Sequence, residues 1–289
     1  MKLGIIGGSG LYNLPGLEIL EQRTVPTPFG NPSDEIVRGK LDTIDVEFLP
    51  RHGISHSLTP SELPYRANIY ALKSLGVTHL LSINAVGSLQ EQLPPLTLVL
   101  PDQIIDRTIR QPRSFFDDGI VAHVGIADPF CGEWSAALQN AAQIAGVPVV
   151  SGGTYICIEG PQFSTKAESK LYRSWGAAVI GMTAMPEARL AREAELCYAS
   201  IAMVTDFDVW HEEEEPVTVE IVQSRHQQNG IAVRKIIAAL AESGLSGRTC
   251  SCGSALAGAI ITELSAITPE QRQRLDAIAG RYLTPGAGA

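Results

Sequence analysis

Short apolar runs alternate along this chain with longer segments of helical period. Strand-like runs fall at 2–6, 46–49, 77–83, 96–105, 149–150, 155–158, 177–180 and from 199 onward. Between them the pattern predicts helices at 61–75, 133–145, 165–175, 186–196 and 217–240. Punctuation supports these limits. Pro60 and Ser61 open the first helix, and Gly76 and Gly146 stop the first and second. Thr165 with Glu168 forms a capping box, and Pro186 stands at a first helical turn. This alternation predicts an α/β fold: one domain over 1–283 with a central, mixed, twisted sheet flanked by helices. The Pro-Gly-Ala-rich end, 284–289, is predicted to be a disordered tail.

Composition narrows the function classes. The 289 residues are 45% hydrophobic, enough for a sizeable core. A formal net charge of −9 without any Lys/Arg cluster argues against nucleic acid as a partner. No apolar run approaches the roughly 18 residues of a membrane span, and the N-terminus lacks the pattern of a signal peptide, so a cytoplasmic location is expected. Five cysteines stand at 131, 157, 197, 250 and 252. Cys157 and Cys197 lie in apolar runs, where buried free thiols are ordinary. Cys250-Ser251-Cys252 reads as a redox pair or a bridge, and by itself supplies too few ligands for a metal.

The chemistry concentrates just after strands, the crevice where open α/β sheets bind ligands. Ala199 to Trp210 is the clearest case: a buried run ends in Thr205, Asp206, Phe207 and Asp208. On an extended backbone Asp206 and Asp208 leave the same face. Apolar surroundings and a like charge both raise a carboxyl pKa, and a carboxyl kept partly protonated can donate to a leaving group. The competing reading is a turn with two solvated aspartates. Gly7-Gly8-Ser9-Gly10 can cradle an anion with backbone N–H groups, yet lacks the spacing of a dinucleotide or triphosphate loop. Arg51-His52, Asn84-Ala85 and Thr183 put further anion-suited groups at three more strand ends. Phe163, beside the Gly160-Pro161 turn, is either a stacking platform for a flat heterocycle or a core plug. His211 with Glu212 to Glu215 reads as a solvated acidic face rather than a metal site. No Gly-x-Ser-x-Gly elbow is present, so covalent hydrolase chemistry is unsupported.

Taken together, these blocks resemble the trimeric purine nucleoside phosphorylases, in particular their 5′-methylthioadenosine phosphorylase branch. The resemblance rests on Gly-Gly-Ser-Gly-Leu at 7–11, Pro-Arg-His-Gly at 50–53 and Asn-Ala-Val-Gly-Ser-Leu at 84–89. It continues through 102–108, 158–169, Gly-Met-Thr-Ala-Met-Pro-Glu at 181–187 and 198–210, in that order. It implies phosphorolysis: inorganic phosphate attacks C1′ of a nucleoside and releases the base, with no organic cofactor and no metal. By the same resemblance Ser9, Arg51, His52, Asn84, Ala85 and Thr183 would hold phosphate, Met182 would lie against the ribose and Phe163 would stack on the base. Asp206 would donate to purine N7 and Asp208 would accept from a 6-amino group, a pair that favours adenine over 6-oxopurines such as inosine, guanosine or methylthioinosine. Val219 and Val222 would meet the 5′ substituent, together with His123 from a neighbouring subunit of a homotrimer or a hexamer. The chain departs from the usual family pattern at Gln223, where an apolar residue is common, at Ser9 and Asn84, where Thr is frequent, and at Gln162, where Arg is frequent. Cys250-Ser251-Cys252 is similar to a C-terminal Cys-x-Cys pair in some heat-stable members.

Overall fold

The computed structural model describes residues 1–8, 16–211, 219–245 and 247–283, with the Val219 side chain excepted. Ser9, the Glu212–Glu215 run and the predicted tail therefore lie outside the described residues. The strands are β1 (Lys2–Gly7), β2 (Leu17–Arg23), β3 (Ile36–Leu41), β4 (Ile44–Pro50), β5 (His79–Ser88), β6 (Leu98–Leu100), β7 (Gln103–Asp106), β8 (Val149–Ser151), β9 (Thr154–Cys157), β10 (Val179–Gly181) and β11 (Cys197–Asp206). The helices are α1 (Tyr65–Ser74), α2 (Gly132–Ile144), α3 (Lys166–Ser174), α4 (Ala184–Glu193), α5 (Val219–Ser243), α6 (Pro269–Arg274) and α7 (Asp276–Leu283).

All the strands join one mixed sheet in the order β2-β3-β4-β1-β5-β10-β9-β7, with β11 on β5 and β6, and β6 on β8. The centre is parallel: β1 pairs with β4 and β5, and β5 with β11. Every residue of β11 is buried. Alternate residues of the central strands feed two cores, as the pleat requires. Leu80 and Tyr198 pack on one face with Leu72, Leu190 and Ile278 of α1, α4 and α7. Leu81 and Ala199 pack on the other with Trp134, Leu138 and Ile236 of α2 and α5.

Four boundaries differ from the sequence reading, each for a local reason. The helix expected at 61 begins at Tyr65: Glu62 accepts from both N and Oγ1 of Thr59 (3.0 and 2.7 Å), closing a turn. Pro64 then keeps the residue before it out of the helical region. The run 96–105 splits into β6 and β7 at Pro101, which lacks the N–H a continuous ladder needs. The strand expected to stop at Asn84 continues to Ser88, because its last residues pair with β10 as well as β11. Helix α4 stops at Glu193, and its regular turns follow Pro186, since Met185 is extended (φ −117°, ψ 139°). The hairpin β2–β3 escaped the pattern because β2 is an edge strand with little buried surface to impose alternation.

Candidate active site

The carboxyl ends of β1, β4, β5 and β11 lie side by side, and β10 returns to meet them. β10 runs antiparallel to β5, with Val179 opposite Ser88 and Ile180 opposite Gly87. Continuing that register brings Thr183 to the level of Asn84, and Thr183 Oγ1 donates to Asn84 Oδ1 at 2.7 Å. Asn84 Nδ2 in turn donates to Ser82 Oγ (3.0 Å) and Ser200 Oγ (2.8 Å). Ser82 Oγ and Tyr198 OH both donate to Glu187 Oε1, at 2.5 and 2.9 Å. Arg51 completes the network. Its Nε donates to Glu187 Oε2 (3.0 Å), Nη1 to Ile83 O (2.9 Å) and Nη2 to Ser82 Oγ (2.8 Å) and Ile6 O (3.2 Å). The guanidinium is buried; burial alone would lower its pKa, and the Glu187 charge and hydrogen bond more than offset that, leaving it raised. One Nη1 hydrogen remains for an anion once these partners are served.

Beside this network, Ala85 is exposed between buried Asn84 and Val86, so β5 opens to solvent at that point. His52 follows Arg51 and stacks on His56, with ring centroids 4.5 Å apart. Its Nδ1 lies 2.8 Å from Leu58 O, which fixes the neutral tautomer with the proton on Nδ1. Burial, with Arg51 and His56 nearby, lowers its pKa to about 4. A further histidine was missed from sequence: His226 Nε2 stands 3.2 Å from where a Cβ would sit on Gly8. It lies four residues after Val222, so the helical face suspected of meeting the sugar also reaches the first loop.

The carboxylates differ from the sequence expectation in geometry but not in electrostatics. Asp208 is not on extended backbone: its φ is +52°, and its N–H donates to Asp206 Oδ1 at 2.8 Å. The two side chains therefore share a tight turn rather than one face of a strand. Thr205 Oγ1 lies 2.7 Å from Asp206 Oδ2, and Arg225 Nη1 binds Thr205 O at 2.9 Å. Both acids are buried, and burial raises both pKa values; the Asp206 charge adds to the rise of Asp208. The reading as two solvated aspartates is set aside. Asp208 Oδ2, Ser164 Oγ and Ser169 Oγ are buried together outside close hydrogen-bond geometry, and the two hydroxyls, as donors to Asp208, partly counter the rise of its pKa. Gly87 makes the turn possible, since a Cβ there would sit 2.9 Å from Asp206 Oδ1 and 3.2 Å from Asp208 Cβ.

Across the cleft, the 158–163 loop is held by Arg110, which sequence reasoning also missed. Its guanidinium donates to Met182 O (3.0 Å), Ile158 O (3.2 Å), Glu159 O (2.7 Å) and Tyr65 OH (2.6 Å). Phe163 is 46% exposed, which rules out the core plug and leaves its ring free to stack. Met182 packs on Gly160, whose φ is +66° and where an added Cβ would stand 2.5 Å from Met182 Sδ, so a side chain there is disfavoured. Of the residues expected around a 5′ substituent, Val222 is half-buried on α5 and Gln223 is exposed. His123 is exposed, and its N–H donates to Ala259 O at 2.9 Å. No described hydrogen bond joins it to the cleft of its own chain.

The thiols lie elsewhere. The Cys250–Cys252 pair does not lack partners: Cys131 and Cys197 join it, and all four sulfurs lie within 4.8 Å of one another.

With this geometry in view, the chain can be compared with known proteins. The phosphorylase superfamily model matches residues 2–242. An S-methyl-5′-thioadenosine phosphorylase of Geobacter sulfurreducens is 52% identical over 97% of this chain and 99% of its own length. One from Koribacter versatilis is 51% identical, covering 97% and 96%. A methylthioadenosine phosphorylase structure from an antarctic soil metagenomic library superposes with a TM-score of 0.89 at 46% identity, covering 98% of this chain and 99% of that one. The Schistosoma mansoni methylthioadenosine phosphorylase in complex with adenine gives 0.85 at 38%, covering 90% and 99%.

Proposed function

The chain belongs to the phosphorylase superfamily, and from that premise we propose that it cleaves S-methyl-5′-thioadenosine with inorganic phosphate, releasing adenine and 5-methylthioribose 1-phosphate. It is a pentosyltransferase whose phosphate is a substrate. The observation that carries the base assignment is the buried Asp208 carboxyl, one turn from a second buried acid, whose oxygens can accept further hydrogen bonds beside the hydroxyls of Ser164 and Ser169. A purine 6-amino group satisfies that acceptor, whereas a 6-oxo group would face it with another acceptor.

The reaction divides between two halves of the cleft. Phosphate sits over Ala85 and Thr183, near the spare Nη1 hydrogen of Arg51. Its oxygen attacks C1′ as the glycosidic bond breaks, and its charge stabilises the positive sugar of the transition state. His52, neutral with Nδ1–H committed to Leu58 O, offers Nε2 as an acceptor to the hydroxyl of monohydrogen phosphate. Asp206 gives a proton to N7 of the leaving purine; its raised pKa keeps the neutral acid closer to hand at neutral pH. Phe163 stacks on the base and Met182 lies along the ribose. Val222 lines the 5′ pocket, closed by His123 of a neighbouring subunit in a homotrimer. The enzyme works in the cytoplasm, in purine and methionine salvage.

The test is base release from methylthioadenosine, methylthioinosine, adenosine and inosine, with and without phosphate. Phosphate-dependent release fastest from methylthioadenosine is expected. Release mainly from the inosine pair would overturn the role of Asp208, and phosphate-independent release would overturn phosphorolysis.

A further inference from the structure

Four of the five cysteines converge at the end of β11 opposite the active site. Cys131 is the residue before α2, Cys197 opens β11, and Cys250 and Cys252 flank the start of a 3-10 turn, Ser251–Ser254. Their sulfurs all lie within 4.8 Å of one another, and Cys197 Sγ is 3.4 Å from Cys250 Sγ. Four thiolates around a tetrahedral zinc, at a Zn–S distance of about 2.3 Å, stand about 3.8 Å apart. The cluster is thus close to a metal's geometry before any ion is considered.

We propose that these four cysteines form a structural tetrathiolate site for a thiophilic divalent cation, zinc by preference. Sulfur-only ligation in a tetrahedral array suits Zn²⁺ and excludes the hard ions Mg²⁺ and Ca²⁺. Binding replaces four S–H protons by one Zn²⁺, leaves a net charge of −2 on the cluster and releases the four protons to solvent. The surroundings match that charge. Arg192 Nη1 lies 3.5 Å from Cys252 Sγ. Cys131 stands at the N-terminus of α2, the positive end of a 13-residue helix. A small cavity lined by His79, Cys131, Trp134, Cys197, Leu240 and Leu245 adjoins the sulfurs and offers an entry path. The backbone is already held in place: Cys131 N donates to Tyr198 O (2.7 Å), Cys197 N to Thr78 O (3.0 Å) and Thr249 Oγ1 to Glu133 Oε1 (2.6 Å).

The ion would clamp the C-terminal segment onto the sheet. β11 carries Cys197 at its first residue and Asp206 at its last. At about 3.3 Å per residue the two lie about 30 Å apart, so the site acts on stability and leaves the chemistry alone.

The test uses the full chain, purified without a metal-affinity tag or chelator. About one zinc per chain is expected by elemental mass spectrometry. Exchange with Co²⁺ should give thiolate-to-cobalt charge transfer and tetrahedral d–d bands. Free zinc at a thousandfold excess over its Kd should raise the Tm of the reduced apo-protein by roughly 7 °C. The double variant Cys250→Ser/Cys252→Ser should lose zinc and the cobalt bands while keeping phosphorolysis at 25 °C within about twofold of wild type. Should that variant fail to fold, thiol titration of the reduced wild-type protein decides: zinc should protect four thiols. Unprotected thiols, a cobalt spectrum without charge transfer, or disulfides that re-form in the presence of zinc would each overturn the site.

Discussion

The two halves of the cleft are built on opposite electrostatic plans. Around Arg51 charge is matched: the guanidinium, Glu187, Ser82, Tyr198, Asn84 and Thr183 form one continuous network in which each named group has a partner. Around Asp206 and Asp208 charge is incompletely matched: two buried acids share a turn, countered by the Arg225 charge and by hydroxyl donors, and burial still raises both pKa values. A finished network fixes geometry and favours folding once paired. An unfinished one costs folding free energy and keeps hydrogen-bonding capacity for a ligand. The Arg51 half is therefore preorganised, and the aspartate half keeps two acids with raised pKa values and unspent hydrogen-bonding capacity.

Breaking the matched half should have the largest effect on stability. Glu187→Gln keeps the shape and leaves Arg51 buried without its counter-charge, a loss of about 3–5 kcal/mol for a buried pair. Calorimetry should show Tm falling by on the order of 10 °C. Asp208→Asn should not lower Tm, because it removes a charge that burial already opposes. Equal losses in the two variants would erase the distinction between the halves.

The unmatched half should dominate turnover. Asp206→Asn should lower kcat for methylthioadenosine by at least about tenfold to a hundredfold, the scale of lost general-acid catalysis. Its pH profile sharpens the point. The folded pKa of Asp206 is raised, so the neutral donor persists to higher pH than for an exposed aspartate and is lost as pH rises through that value. Wild-type kcat/KM should fall on that alkaline limb, and the Asn variant should lack it. Unchanged turnover in the variant would remove Asp206 as the proton donor. A smaller effect is expected at the neighbouring acid: Asp208→Asn offers an amide N–H to O6, and should narrow the preference for adenosine over inosine by about tenfold or more.

Legibility in the sequence followed the same divide between local and long-range causes. The buried run leading to Asp206, the Thr165/Glu168 capping box and the Arg51-His52 strand end are local patterns, and the fold places them as the pattern implies. What escaped depends on distant partners. Glu187 sits inside a helix and Arg110 in a loop; neither announces that it will be buried against residues 136 or 72 positions away. Cys131 and Cys197 lie 66 apart, with Cys250 a further 53 on, so no ligand spacing exists to be read. The turn at Asp208 was misjudged because period-2 reasoning assumes the strand continues, whereas the turn is closed by the Asp208 N–H on Asp206 Oδ1 and by the room that Gly87 leaves, neither of which periodicity encodes.

The smallest predicted effect concerns His52, which joins the halves by carrying a titratable ring into the matched one. Its folded pKa is lowered to about 4, while an unfolded histidine titrates near 6.5. Between those values the unfolded chain binds the additional proton, so stability is full above about pH 6.5 and falls as pH drops toward 4. In His52→Asn the amide can still donate to Leu58 O and the titration is gone. The Tm loss between pH 7 and pH 5 should therefore be smaller in the variant than in the wild type, by differential scanning calorimetry in a phosphate-free buffer. An identical loss in both would mean that the folded pKa of His52 is not lowered, so that its Nε2 would turn from acceptor to donor as pH falls through about 6.5. Phosphate titration separates the same two states. Neutral His52 predicts tighter binding of monohydrogen phosphate than of sulfate, which has no proton to give; a charged ring predicts no such preference.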